Sequence, residues 1–282
     1  MEINVKNNTE QAKVSNANAK FWDELCGSQL AKYLGIYDSS PASLKKFDDW
    51  YFDFYPYLDT HIGFESLKGK DVLEVGLGYG TVSQKLANSG AKYQGLDIAA
   101  GPVNMVNHRL QQNGLEGQAT QGSILAPPFE PASFDAIVAI GCLHHTGDLQ
   151  RAIAECYGLL RPGGRLIFMV YYAYSYRRWM QAPIDTVKYG ISEMSGVRNV
   201  VGASASRHRA AYDKSVSGEG APHTDWISKK SLANYCSDFA EFRPQLENVD
   251  VIPPFKFWSR KQLLKTKIPG SLGLDLYAVA RK

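Results

Sequence analysis

Three glycines alternate along one short stretch, at Gly76, Gly78 and Gly80, and an acid, Glu74, stands two residues before the first of them. An apolar run at 72–75 precedes the glycines, and a helical pattern follows them. A strand, a glycine turn and a helix make the layout of a nucleotide-binding loop, because glycine allows a tight turn and a close approach of ligand to main chain. The stretch therefore predicts a site for a nucleotide-like cofactor.

The spacing of the glycines separates two kinds of cofactor. A dinucleotide loop has the pattern G-x-G-x-x-G and holds a pyrophosphate at the helix N-terminus. This loop, with its acid two residues ahead, resembles motif I of the class I S-adenosylmethionine (SAM) methyltransferases, of the type 11 group. SAM carries no phosphate but has an ammonium and a sulfonium, so an acid is favourable there. The resemblance implies SAM; a merely structural glycine turn and an NAD-dependent oxidoreductase are the alternatives.

Further residues of the cofactor site come from the ends of the neighbouring strands. Asp97 ends the second predicted strand, 19 residues after Gly78, close to the separation at which an acid meets a ribose in doubly wound folds. A helix N-cap is the other interpretation of Asp97. The family usually has an acid for the adenine amine where Gly122-Ser123 stands, so the Ser123 hydroxyl or backbone groups take that place. The resemblance also assigns Ile98, Ile124 and Gly141 to the cofactor.

The elements that must position these residues alternate regularly between 71 and 171. Five apolar runs are each followed by a helical pattern or a turn, which predicts a parallel sheet with helices on both faces. Two more strands are expected at 241–249 and 272–282, and the resemblance implies that the last one is reversed. The expected fold is α/β, a Rossmann-like doubly wound seven-stranded sheet with N-terminal helices and a lid insertion after strand five.

The domain prediction has two parts. Residues 1–66 form an N-terminal helical cap, although 1–16 look disordered because they are rich in Asn, Gln and Lys. Residues 67–282 form the methyltransferase domain, with a substrate-lid insertion at about 172–227, where regular patterning stops. A long irregular segment in a compact domain is usually a lid or a binding loop.

Imidazole is the expected base for methyl transfer to a protonated nucleophile, since its pKa lies near neutrality. His144 and His145 follow strand four directly, at the edge where ligands bind in such sheets. His208 and His223 lie in the insertion and are the next candidates. A structural role remains the alternative for each of them.

The predicted acceptor site combines aromatic and basic residues. The N-terminal helices carry Tyr51 and Tyr55, which would otherwise be ordinary core residues, and the insertion contributes Tyr172, Tyr176, Arg177 and Arg209. Arginine together with histidine suggests a polar or anionic acceptor, such as a carboxylate, a phosphate or a sugar nucleotide. A solvated surface with a few ion pairs is the alternative for the insertion.

Composition limits the class of protein. The chain has 282 residues, 44% of them hydrophobic, and a net charge of +3, which does not by itself indicate nucleic acid. No run of about 18 apolar residues predicts a membrane span, and the N-terminal stretch lacks the apolar core of a signal peptide. Cys26, Cys142, Cys156 and Cys236 are scattered and form no zinc motif. We therefore expect a cytoplasmic protein without nucleic-acid or membrane partners; its oligomeric state is not readable.

The expected reaction is metal-independent transfer of a methyl group to a hydroxyl of a small molecule. The Pro-Pro-Tyr motif of amino-methylating DNA and protein enzymes is missing after strand four, and no carboxylate cluster suggests a divalent metal. N-methylation of a small molecule is the second possibility. A catalytically silent SAM-fold protein that binds a partner through the insertion is a third.

Overall fold

The architecture comes from a computed structural model, which describes residues 2–25, 28–202, 205–215, 217–251, 253 and 255–282. Cys26 lies outside the described residues. The helices are α1 (Glu2–Leu25), α2 (Ser28–Tyr33), α3 (Pro41–Phe54), α4 (Leu58–Ile62), α5 (Thr81–Asn88), α6 (Ala100–Gln112), α7 (Leu149–Leu159), α8 (Tyr176–Gln181), α9 (Pro183–Met194), α10 (Ser206–Ala210), α11 (Lys229–Tyr235), α12 (Arg260–Leu264) and α13 (Ile268–Leu272). The strands are β1 (Asp71–Val75), β2 (Lys92–Asp97), β3 (Gln118–Gln121), β4 (Phe134–Ile140), β5 (Leu160–Tyr172), β6 (Val201–Gly202), β7 (Asp225–Ile227), β8 (Glu241–Glu247) and β9 (Asp275–Arg281).

Seven strands form the sheet that the sequence predicts, in the spatial order β3-β2-β1-β4-β5-β9-β8. The first five are parallel, and β9 runs antiparallel to β5 with Met169 opposite Tyr277. The cores on the two faces are separate: α7 and α11 pack on one face, and α4, α5 and α6 pack on the other. The doubly wound α/β class and the reversed last strand are confirmed.

Helix signals in the sequence correspond to observed caps. Ser228 accepts a hydrogen bond from the backbone N–H of Ser231 at 3.0 Å and so caps α11, as its position predicts. Helix α3 begins at Pro41, because Ser40 is the N-cap and proline is favourable in the first helical turn.

The N-terminal stretch departs from the sequence-based expectation. Residues 2–16, predicted to be disordered, belong to α1. Long-range polar contacts hold this helix against the body: the Gln11 amide donates to the carbonyl of Thr146 at 2.7 Å, and the Asn18 amide donates to the carbonyl of His145 at 2.5 Å. Composition did not reveal them, because the partners are more than a hundred residues away in the chain.

The insertion is also more regular than expected. It contains α8, α9 and α10, and two short strands extend the sheet: β7 pairs in parallel with the end of β5, and β6 pairs with β7. The side chains of Trp226 and Ile227 are fully buried, which explains why β7 joins the sheet instead of lying in a loose loop. Within the described parts of the chain, no helix is long and apolar enough to cross a bilayer.

Candidate active site

A cavity of about 460 Å³ lies at the carboxyl ends of β1, β2, β4 and β5. This is the edge where open α/β sheets bind their ligands, because the strand-to-helix loops meet there. Its walls include Gly76 and Asp97 from the strand ends, Tyr51 from α3, and Trp22 from α1, which lies over the cavity.

The glycine loop faces the cavity with two of its three glycines. Gly76 and Gly78 line it and have φ values of +78° and +54°, which only glycine adopts without strain. A Cβ on Gly76 would lie 2.4 Å from Cβ of Cys142, whereas a Cβ on Gly78 would meet nothing within 4 Å and would occupy open space. Gly78 is therefore the point where a ligand can approach the main chain.

Gly80 was expected in the cofactor site, but it is not among the residues that line the cavity. It precedes α5, and a Cβ there would lie 2.7 Å from Cδ of Arg109. That arginine is buried and forms an ion pair with Asp48 at 2.9 Å. Gly80 thus makes room for a structural ion pair.

Asp97 lines the cavity and organises the glycine loop. Its carboxylate accepts a hydrogen bond from the N–H of Leu77 at 2.7 Å and another from the N–H of Ala99 at 2.9 Å. Burial raises the pKa of Asp97, and the backbone donors oppose this rise. The helix that follows is capped by Ala99, so the N-cap interpretation of Asp97 does not apply.

Glu74 differs from the charged rim that the sequence suggested. It is 3% exposed, and its carboxyl group accepts hydrogen bonds from the Ser83 hydroxyl at 2.5 Å and the Tyr93 hydroxyl at 2.7 Å. Burial raises its pKa to about 8, so the group is mostly protonated at neutral pH unless a cation binds beside it. The other predicted cofactor residues all line the cavity: Ile98, Ser123, Ile124 and Gly141.

Only one of the four candidate histidines reaches the cavity, and it is His145. His144 is fully buried and packs against the His145 and Tyr171 rings with centroid distances of 4.1 Å, so it is a core residue. His223 lies outside the cavity wall beside Asp225, 3.1 Å away, and His208 lines a separate depression of the insertion.

The contacts of His145 fix its tautomer. Its Nδ1 lies 2.7 Å from the carbonyl oxygen of His223, and because a carbonyl can only accept, Nδ1 carries the proton. Nε2 is then unprotonated and lies 3.5 Å from Oδ2 of Asp213. Burial lowers the pKa of His145, and Asp213 and the His223 carbonyl oppose this shift. The side chain is a neutral base with a carboxylate beside it.

Asp213 and Tyr171 belong to this group, and sequence reasoning missed both. Both line the cavity, and the Tyr171 hydroxyl donates to Oδ2 of Asp213 at 2.9 Å. Burial raises the pKa of Asp213, while His145 and the Tyr171 hydroxyl hold it down. Asp213 stands in the irregular part of the insertion, where no periodic pattern assigns a side chain to a face.

The predicted acceptor residues divide into two groups. Tyr51 and Tyr55 line the cavity as expected, and Tyr171 takes the place predicted for Tyr172. Successive residues of a strand point to opposite faces, so the one-residue difference turns Tyr172 away, against the core on the other side.

The other three predicted acceptor residues are engaged elsewhere. Tyr176 is buried, and its hydroxyl accepts a hydrogen bond from the N–H of Asp250 at 2.8 Å. Arg177 is ion-paired with that aspartate and lies over the Tyr212 ring. Arg209 donates from Nε to the carbonyl of Ala221 at 2.6 Å. Among the residues that the structure describes, no three His, Cys, Asp or Glu side chains are grouped to hold a metal ion.

Comparison with known proteins gives matches over part of the chain. Residues 73–168 match the family model described as a methyltransferase domain. The chain is 34% identical over 113 residues to a ubiquinone biosynthesis O-methyltransferase of Stutzerimonas stutzeri, covering 40% of this chain and 47% of that protein. It is 35% identical over 165 residues to the protein of the same name from Pseudomonas putida, covering 57% and 63%. The chain thus spans about half to under two thirds of the length of these relatives.

Solved structures agree on the fold. A SAM-dependent methyltransferase from Methanosarcina mazei superimposes with a TM-score of 0.51 at 18% identity, covering 76% of this chain and 93% of that chain. At this identity the similarity extends to the fold alone. The fold expected from the glycine loop is confirmed, and residues 73–168 carry the match to a methyltransferase domain.

Proposed function

We propose that this chain, which carries a methyltransferase domain on the class I methyltransferase fold, binds SAM and methylates a hydroxyl group of a small molecule without a metal ion. The observation that carries the proposal is the single cavity that joins the glycine loop and Asp97 to an imidazole base, His145. The names of the two relatives, both O-methyltransferases, support a hydroxyl acceptor over an amine.

The chemistry of the cavity fits the cofactor. Carboxyl groups of Glu74, Asp97 and Asp213 line it, and no Lys or Arg occurs among the described lining residues. This set suits the ammonium and sulfonium of SAM and is unfavourable for a pyrophosphate. Gly78 leaves the main chain open to the ligand, and Asp97 is placed to accept from ribose hydroxyls. When bound, SAM supplies a methyl group on a sulfonium, which is open to attack by a nucleophile.

The residues of the cavity then accept the proton and stabilise the charge that forms. Nε2 of His145 accepts the proton of the acceptor hydroxyl, and the imidazolium so formed is stabilised by the Asp213 carboxylate 3.5 Å away. The Tyr171 hydroxyl holds that carboxylate in place. Rings of Tyr51 and Tyr55 wall the cavity and exclude water, which strengthens these electrostatic interactions. We assign residues 1–66 as a cap and 172–227 as a lid, since both segments contribute side chains to the cavity.

Calorimetry tests the cofactor assignment. The full chain is expected to bind SAM and S-adenosylhomocysteine, the demethylated product, and to give no heat with NAD, because the described cavity wall has no cation for a pyrophosphate. Tight binding of NAD without binding of SAM would contradict the proposal. Binding of SAM without methyl transfer to any hydroxyl compound in a broad panel would favour a silent binding protein instead.

The Asp97→Ala variant tests the ribose contact. We expect SAM affinity to weaken by about 1.5–3 kcal/mol, the usual scale for hydrogen bonds to a charged group. Part of this loss comes from the glycine loop, because the Leu77 N–H loses its acceptor. Thermal unfolding of the unliganded variant measures that part separately. An unchanged dissociation constant would remove Asp97 from the site.

A further inference from the structure

The acceptor end of the cavity has an unusual balance of charge. We give this name to six lining residues that belong neither to the glycine loop nor to the predicted cofactor residues. It consists of aromatic rings, one imidazole and one carboxyl group: Tyr51, Tyr55, His145, Tyr171, Asp213 and Tyr277. Among these six residues, the imidazole of His145 and the carboxyl group of Asp213 lie 3.5 Å apart, and burial lowers the pKa of His145 and raises that of Asp213.

The charge of this pair is restricted. With one proton, the pair is either a neutral imidazole beside a carboxylic acid or an imidazolium beside a carboxylate, and both forms have zero net charge. Without that proton the net charge is −1. Over the pH range in which the pair carries at most one proton, its net charge is zero or −1. A negative ligand is therefore either not attracted or repelled.

Two nearby arginines have partners of their own outside the cavity wall, although Arg177 is close enough to lower the pKa of Asp213. Arg177 pairs with Asp250 and stacks on the Tyr212 ring at 4.5 Å. Arg260 lies over the Phe54 ring at 3.7 Å and donates to the Asn248 amide oxygen at 2.8 Å. Neither contributes to the cavity wall, and burying an anion without a partner is costly.

We propose that the acceptor end admits neutral or cationic acceptors and rejects carboxylates and phosphates, and that Asp213 is the residue that determines this selection. The inference rests on the proposed function, because it takes this cavity to be the acceptor site. It also differs from the sequence-based expectation of a polar or anionic acceptor, which residues such as Arg177 and Arg209 had suggested. Asp213 acts here by repulsion of the wrong ligand, which is one of the two ways in which a site achieves specificity.

Matched pairs of ligands test the selection by binding, so that the outcome does not depend on turnover. The pairs are 3-hydroxybenzoate with 3-hydroxybenzamide, 4-hydroxyphenylacetate with its amide, and phenyl phosphate with methyl phenyl ether. Each is titrated into the full chain saturated with S-adenosylhomocysteine. We expect the uncharged member to bind about 100-fold more tightly, the order expected when an unpaired charge is buried.

Asp213→Asn and the control Asp238→Asn, which removes an exposed surface charge, complete the design. Asp213→Asn is expected to reduce the affinity ratio about tenfold, the order for one close like charge, and Asp238→Asn to leave it unchanged. Equal binding of acid and amide by the wild type, the same ratio in Asp213→Asn, or no binding of any pair would overturn the inference. Absence of methyl transfer with the expected ratio intact would count against the proposed function alone.

Discussion

Replacement of Gly78 by valine is expected to abolish SAM binding, with a dissociation constant raised by about 100-fold or more. Gly78 has a φ of +54°, where a β-branched residue is strongly disfavoured, and its Cβ would project into open space at the cavity wall. Both effects act on the segment that must meet the cofactor. Calorimetry with SAM and S-adenosylhomocysteine gives the measurement.

A substitution at a matched glycine distinguishes an effect on SAM binding from the effect of backbone strain on stability. Gly114, just after α6, has a φ of +61°, and a Cβ there also meets nothing within 4 Å, but it does not line the cavity. We expect Gly114→Val to lower thermal stability by a similar amount while SAM binding is retained. If both variants lost SAM equally, strain alone would explain the effect and the loop would not be the binding surface.

The second large effect is expected at His145. The His145→Asn variant keeps a donor for the His223 carbonyl but has no nitrogen that can accept a proton, so kcat should fall by about 10²–10⁴-fold, the usual contribution of a general base. SAM affinity should stay near that of the wild type, because the proposed role of the imidazole is to accept a proton and not to hold the cofactor. Single-turnover rates and calorimetry measure the two quantities.

His144→Phe is the matched control for this experiment. His144 is fully buried and outside the cavity wall, and a phenyl ring of similar size can occupy its place. We expect it to retain wild-type kcat. A loss of rate at His144 with none at His145 would move the base to the neighbouring residue and contradict the assignment.

The pH profile gives a separate test of the same base. The active form is the neutral imidazole, so kcat rises with pH through the pKa of His145, and burial places that pKa below the ordinary value of about 6.5. His223 also lowers it, while Asp213 and Asp225 raise it. Asp213→Asn should therefore move the midpoint to still lower pH, because the carboxylate that favours the imidazolium is gone. If the acceptor were an amine, the profile would report the pKa of that amine in both proteins.

The sequence by itself determined the sheet and the cofactor loop. Both are local features. Apolar runs of the right length become buried strands, and Glu74, Gly76, Gly78 and Asp97 lie at or just after the ends of two of these strands. The chain geometry of a doubly wound sheet then brings these ends to one edge, and Ser123, Ile124 and Gly141, which the resemblance assigned to the cofactor, line the same cavity.

The tertiary structure decided which residues complete the site. His144 and His145 are adjacent in sequence, yet His144 points into the core and His145 into the cavity. At the end of β5, Tyr171 lines the cavity, whereas the predicted residue, Tyr172, packs against the core on the other face. Asp213 reaches the site because its loop is held in place, with its N–H donating to the Arg209 carbonyl at 2.9 Å and its carbonyl accepting from the Ala221 N–H at 3.1 Å. Side-chain direction in irregular segments depends on such individual contacts, which no periodic pattern in the sequence encodes.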